Sequence, residues 1–183
     1  VGCFLRYVQE GMSWRKVSTD EANTLLKQDY PQYLYHSQQF DAAFHAVSPD
    51  AIVVHHKPEQ RLKKLLQNTP KDDIERKCLQ LMPILVQGDV DCDLLGLTGS
   101  MLIDQQKATS DIDLVVYDRA VFHQVRAKVK QAVADGPLSL LDPVLMRDNF
   151  DRRSGELNLA DFTWHENRKF NKAVINGTKF DIG

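Results

Sequence analysis

Residues 111–117 read Asp-Ile-Asp-Leu-Val-Val-Tyr, and this stretch constrains the chain more than any other. Side chains alternate along a strand, so Ile112, Leu114 and Val116 share one face while Asp111 and Asp113 share the other, about 6 to 7 Å apart. The apolar face calls for a core. The acidic face sets two like charges together, a costly arrangement unless a cation bridges them. Oxygen ligands at this spacing suit Mg²⁺ or Mn²⁺, which keep several waters and complete their shell from phosphates. Upstream, Gly99-Ser100 follows the apolar run Leu94–Thr98. Glycine lets a backbone approach phosphate closely, and the serine hydroxyl with neighbouring amides supplies donors to a phosphate oxygen. The two segments read as a triphosphate clamp beside a metal clamp.

The surrounding pattern predicts an α/β (α+β) half. A strand over 94–98 and another over 111–117 precede a helix carrying Val121, Val125, Val129 and Val133. Gly136-Pro137 ends that helix. Residues 139–150 are ambiguous because Pro143 interrupts a helical spacing. Leu157–Trp164 alternates and predicts a strand. Asn176-Gly177, between Ala173–Ile175 and Thr178–Ile182, is a type I′ hairpin signal. The segment 164–169, Trp-His-Glu-Asn-Arg-Lys, then reads as a surface loop after a strand, with lining of a nucleotide cleft as the competing reading.

Ahead of this half, Val1–Val8 and Trp14–Val17 predict a hairpin turning at Gln9–Met12, and Ser18 with Glu21 has capping-box spacing for a helix over 19–29. Tyr30, Tyr33, Tyr35, Phe40 and Phe44 suit a core or an interface better than base stacking. Prolines 49, 58 and 70 stand where helices start, and Pro83 falls in the last turn of a pattern carrying Ile74, Cys78, Leu81, Met82 and Leu85. The polar, acidic stretch 87–93 is the expected seam, giving a small α+β N-terminal region over 1–90 and a core over 91–183.

Net charge −2 and 43% hydrophobic residues describe an ordinary globular chain without a whole-molecule basic field, so a phosphate-bearing partner must be held locally. No apolar run reaches the 18 to 20 or so residues of a membrane span. Three cysteines without CxxC spacing argue against a disulfide framework, making a reducing cytoplasm the expected compartment. A start at Val1 without methionine suggests a processed or excerpted chain.

Gly99-Ser100, followed eleven positions after the serine by Asp111-Ile112-Asp113, resembles the signature of the DNA polymerase beta-like nucleotidyltransferase superfamily. The resemblance implies a mixed sheet flanked by helices and a third carboxylate on a later strand within an apolar-Asp-apolar triplet. Phe180-Asp181-Ile182 matches that form, with Asp161 in Ala160-Asp161-Phe162 as runner-up. It further implies Mg²⁺-dependent transfer of a nucleoside monophosphate from an NTP such as ATP to a hydroxyl, with pyrophosphate released. Two ions, Mg²⁺ or Mn²⁺, would be held by Asp111, Asp113 and Asp181. Gly99, Ser100, Arg168, Lys169 and Lys179 are the candidate triphosphate contacts. The acceptor, whether RNA, a small molecule or a protein, stays open. Leu5-Arg6-Tyr7-Val8 and Arg15-Lys16-Val17-Ser18-Thr19 are similar to the leading region of uncharacterised archaeal-type predicted nucleotidyltransferases. The alternative is an inactive nucleotidyltransferase-like module that binds nucleotide or protein.

Other polar groups read as structural. Asp89, Asp91 and Asp93 lack the glycine and glutamate of a calcium loop. His36, His45, His55, His56, His123 and His165 show no metal-ligand spacing. The charges at 61–64 and at Arg76-Lys77 read mostly as solvated helix faces.

Overall fold

The computed structural model describes residues 1–88, 90–153 and 155–183. It divides into two compact units, Val1–His55 and His56–Gly183. The division falls upstream of the 87–93 seam read from the sequence, because helices preceding that seam share one core with the later strands. Asp89, part of the acidic stretch, lies outside the described residues.

The first unit opens with β1 (Gly2–Cys3), β2 (Tyr7–Glu10) and β3 (Ser13–Lys16). β2 and β3 pair as the expected hairpin, with Gly11 at φ +63 in the turn. The first extended piece is shorter than predicted, because β1 leaves it to pair elsewhere. Ser18 caps α1 (Thr19–Asp29) through a complete capping box with Glu21, over the predicted span. β4 (Leu34–Ser37) and β5 (Ala42–Ala46) then pair antiparallel, and β1 joins the far side of β5. Tyr30, Tyr35 and Phe40 are exposed, so the core-filling reading of this aromatic stretch fails for those three.

In the second unit Pro58 opens α2 (Pro58–Leu66), as proline at a first helical position should. α3 (Asp73–Leu85) starts three residues after Pro70, because the Asp72 side chain accepts from the Glu75 amide and caps it there. Pro83 lies in its final turn. β6 (Leu95–Leu97) leads straight into a short turn of helix, α4 (Gly99–Leu102). β7 (Ile112–Val116) is followed by α5 (Arg119–Asp135), which ends on left-handed Gly136. α6 (Pro143–Asp151) is capped by Asp142 and resolves the ambiguous segment as helix. α7 (Leu159–Lys169) replaces the strand predicted over 157–164, and so also the surface loop predicted over 164–169. The Asn158 side chain accepts from the Asp161 amide and starts this helix, overriding a coincidental alternation. β8 (Lys172–Ile175) and β9 (Thr178–Ile182) form the expected hairpin, with Asn176 and Gly177 both at positive φ.

The strand order is β6-β7-β9-β8, mixed, with β7 and β9 parallel. Ile112, Leu114, Phe180, Ile182, Ala173 and Ile175 turn one sheet face into a core shared with Ile74, Cys78 and Leu81 of α3 and Val121, Val125 and Val129 of α5. α2 packs closely on β6: a Cβ at Gly96 would lie 2.6 Å from Pro58 Cβ and 2.8 Å from the Glu59 amide nitrogen. The result is an α+β fold whose opposite sheet face carries the acidic side chains.

Candidate active site

Asp113 and Asp181 are register partners on the parallel strands β7 and β9. Their side chains therefore leave the sheet on the same face from strands about 4.8 Å apart. Asp111 stands two residues before Asp113, on that same face by alternation. All three carboxylates are half-buried. Asp161 is not among them: it sits in the first turn of α7 and accepts from Asn158 Nδ2 at 2.8 Å.

The Gly99 segment is built against this face. The Thr98 amide donates to the Asp113 carbonyl at 2.9 Å, which seats the start of α4 beside β7. Gly99 has φ +61, and a Cβ there would overlap Asp113 Oδ2 and lie 2.9 Å from Asp113 Cγ. Glycine is required twice over, by backbone conformation and by the carboxylate it accommodates.

Two lysines from the same face meet the carboxylates. Lys179 Nζ lies 2.8 Å from Asp111 Oδ2, and Lys172 Nζ lies 3.3 Å from Asp181 Oδ2. Both ammonium groups are nearly buried, at 6% and 9% side-chain exposure, so each holds a carboxylate charge where water does little. Lys179 also donates to Asn149 Oδ1 of α6 at 3.1 Å. Lys172 pairs with Glu166 of α7, and Lys169 pairs with the same carboxylate. Burial acts to raise the Glu166 carboxyl, but the hydrogen bond from Lys169 and the charge of Lys172 outweigh it and hold it below its ordinary range.

Of the basic residues expected at a triphosphate, Lys179 is on the acidic face, whereas Arg168 lies over the Trp164 ring and Lys169 is engaged by Glu166. Among the described residues no three carboxylate, histidine or cysteine side chains close into a metal-binding group. The donors nonetheless suit a hard divalent ion. They are all oxygens, they converge on one face, two already hold a cation, and the Gly99 cradle fixes the third. The buried atoms Asn149 Nδ2 and Asn171 Oδ1 have no hydrogen-bond partner among the described residues. Asn149 bonds Lys179, and Asn171 Nδ2 lies 3.5 Å from Asp181 Oδ1, so unsatisfied polar atoms flank the carboxylates on two sides.

Sequence reasoning missed Lys172, Glu166 and Asn149, whose roles arise from pairing between a strand and helices. It also missed Arg61. This side chain, read as solvated, is buried: it donates to Glu75 Oε1 at 2.6 Å, to Asp104 Oδ1 at 2.7 Å and to the Met101 carbonyl at 2.9 Å. Arg61 thereby ties α2 and α3 to the far end of the Gly99 helix. A cavity of about 430 Å³ between α6 and α7 is lined by Phe150, Phe162 and Glu166 among others, which places it next to the Lys172 pair.

An uncharacterised protein of Methanocaldococcus jannaschii is 27% identical over 174 residues, covering 88% of this chain and 48% of that protein. The chain thus spans about half the length of the curated relative it matches. No family model and no solved structure matches the chain.

Proposed function

We propose that this chain is a divalent-metal-dependent nucleotidyltransferase, moving a nucleoside monophosphate from an NTP to a hydroxyl acceptor and releasing pyrophosphate. The observation that carries the reading is the register of Asp113 with Asp181, with Gly99 packed on Asp113. Asp111, Asp113 and Asp181 are the residues to hold two Mg²⁺ or Mn²⁺ ions. When bound, such ions neutralise triphosphate charge and lower the pKa of an acceptor hydroxyl. The chain's own part is positioning. The exposed Gly99 backbone and the Ser100 hydroxyl would serve phosphate oxygens, and Asp181, near the end of β9, would take the acceptor proton. Lys179 and Lys172 balance the carboxylates in the metal-free chain. Lys179, on the acidic face, is the candidate cation for the triphosphate, while Arg168 and Lys169 are engaged on α7 by Trp164 and Glu166.

A second reading, a nucleotide-binding module without catalysis, is favoured by one observation: Asp111 and Asp181 are each already engaged by a buried lysine. One experiment separates the two. The chain is incubated with α-labelled NTPs, Mg²⁺ and pools of RNA, protein and metabolites. Label transfer that requires Mg²⁺ and is abolished in a folded Asp113→Ala variant supports the enzyme. NTP affinity that is indifferent to both Mg²⁺ and Asp113→Ala removes the site altogether.

A further inference from the structure

We propose that the cleft between α5 and the C-terminal end of α7 binds single-stranded nucleic acid. From Arg119 to Ala134, α5 contains Arg119, His123, Arg126, Lys128 and Lys130 and no acidic residue. In a chain of net charge −2 this is a local basic field. Arg119, His123, Arg126 and Lys130 recur at steps of four, three and four, which places them on one helix face with neighbouring Cβ atoms about 5–6 Å apart.

This face opens into a cleft of about 290 Å³, lined by His123, Arg126, Lys130, Arg168, Lys169 and Phe170. Among the described residues no aspartate or glutamate lines it. Among the described residues Arg126, Lys130 and Arg168 pair with no carboxylate, and only Lys169 is engaged, by Glu166. Arg126 instead donates to the Lys169 carbonyl, which ties the two walls together.

Charge alone would suit any polyanion, and the aromatic groups narrow the choice. Trp164 is 56% exposed, with the Arg168 guanidinium 3.5 Å from its ring centroid and the His165 ring edge-on at 4.8 Å. Lys130 Nζ lies over Phe170, 5.7 Å from the ring centroid. A basic track bordered by an exposed indole carrying an arginine is the arrangement that holds a phosphodiester backbone while unpaired bases stack. An acidic peptide would use the cations and leave Trp164 idle. Lys169 also links the cleft to the acidic face, through Glu166 to Lys172 and from Lys172 to Asp181. Insofar as it rests on the nucleotidyltransferase reading, the bound strand is the acceptor; binding itself does not depend on that reading.

The test is fluorescence anisotropy of the full chain with labelled 12-nucleotide single-stranded RNA, the same sequence as DNA, and polyglutamate of equal charge, over a salt series. The expected result is tighter binding of either oligonucleotide than of polyglutamate. Lys130→Glu/Arg168→Glu weakens it at least tenfold and flattens the salt dependence by about 1 to 1.5 units of log–log slope. Trp164→Ala, which keeps every cleft cation, weakens it about fivefold or more. A charge-matched Lys63→Glu/Arg76→Glu control on exposed positions of α2 and α3 stays within twofold. Polyglutamate binding as tight as RNA would assign the cleft to an acidic protein and overturn the proposal. So would an unchanged affinity in the double reversal or in Trp164→Ala, with melting temperatures confirming that each variant folds. Asp113→Asn retains oligonucleotide binding. Absence of NTP transfer by the wild-type chain, with intact, cleft-dependent oligonucleotide binding, would therefore discard the nucleotidyltransferase reading and leave this one standing.

Discussion

Gly99 and Asp113 are built as a pair: the left-handed backbone at residue 99 leaves the space that the Asp113 carboxylate occupies. Gly99→Ala forces a Cβ into that carboxylate and holds alanine at positive φ, a strain of about 1–3 kcal/mol before any clash is relieved. The expected outcome is a folded protein of reduced stability that has lost Mg²⁺-dependent NTP binding, as read by urea titration and calorimetry. Gly155→Ala, where a Cβ meets nothing within 4 Å, is the control. Equal NTP affinity in Gly99→Ala and wild type would mean that the Asp113 position does not matter for nucleotide.

Arg61 carries the support beneath α4. Its side chain is 8% exposed, its partner Glu75 is 2% exposed, and both are fixed by short hydrogen bonds. Among the described residues Arg61→Ala leaves the buried Glu75 carboxylate with the Lys71 amide as its hydrogen-bond donor. Breaking one side of such a buried pair costs about 3–5 kcal/mol. Arg61→Met/Glu75→Gln, which removes both charges, is expected to recover much of that loss. If the single variant unfolds at the wild-type urea midpoint, Arg61 does not anchor α4.

Lys179 makes the metal question measurable without activity. Lys179→Met removes the cation from Asp111 and leaves like charges on one half-buried face. The variant is expected to melt lower than wild type in EDTA and to recover more in Mg²⁺ than wild type does, because binding to the native state stabilises by mass action. Thermal shifts across a Mg²⁺ and Ca²⁺ series read this directly. A Mg²⁺ response no larger than that of wild type would count against a divalent site at Asp111.

What was legible in the sequence was local. Asp111-Ile112-Asp113, Asn176-Gly177 and Ser18 with Glu21 each state a backbone geometry within a few residues, and the strands, the hairpin and α1 follow them. Leu157–Trp164 misled because its apolar residues happen to alternate. The competing signal, Asn158 with Asp161 three positions on, was present, and α7 follows it. Position 61 looks like any exposed basic residue of an amphipathic helix until Glu75 and Asp104, fourteen and forty-three residues away, close on it. Lys172 and Glu166 are of the same kind: separated by a left-handed turn at Phe170, they meet only when α7 folds back along β8.

That pair gives the acid limb of stability a specific origin. Glu166 is buried between Lys169 and Lys172, and its carboxyl is held below its ordinary value of 4.5. A depressed folded-state pKa means that the unfolded chain takes up the proton first. The contribution is therefore whole above about pH 4.5 and is lost as pH falls through the lower folded value. Glu166→Gln is expected to cost about 1–3 kcal/mol at pH 7, where wild type holds the full ionic contacts. By pH 4 the gap between the two proteins should have begun to narrow, and at lower pH it should close further. Urea midpoints at pH 7, 5, 4 and 3 measure this, with Lys172→Gln expected to follow the same course. A gap that stays constant down to pH 3 would place the acid sensitivity elsewhere, and would mean that Lys172 is held on Asp181 without help from α7.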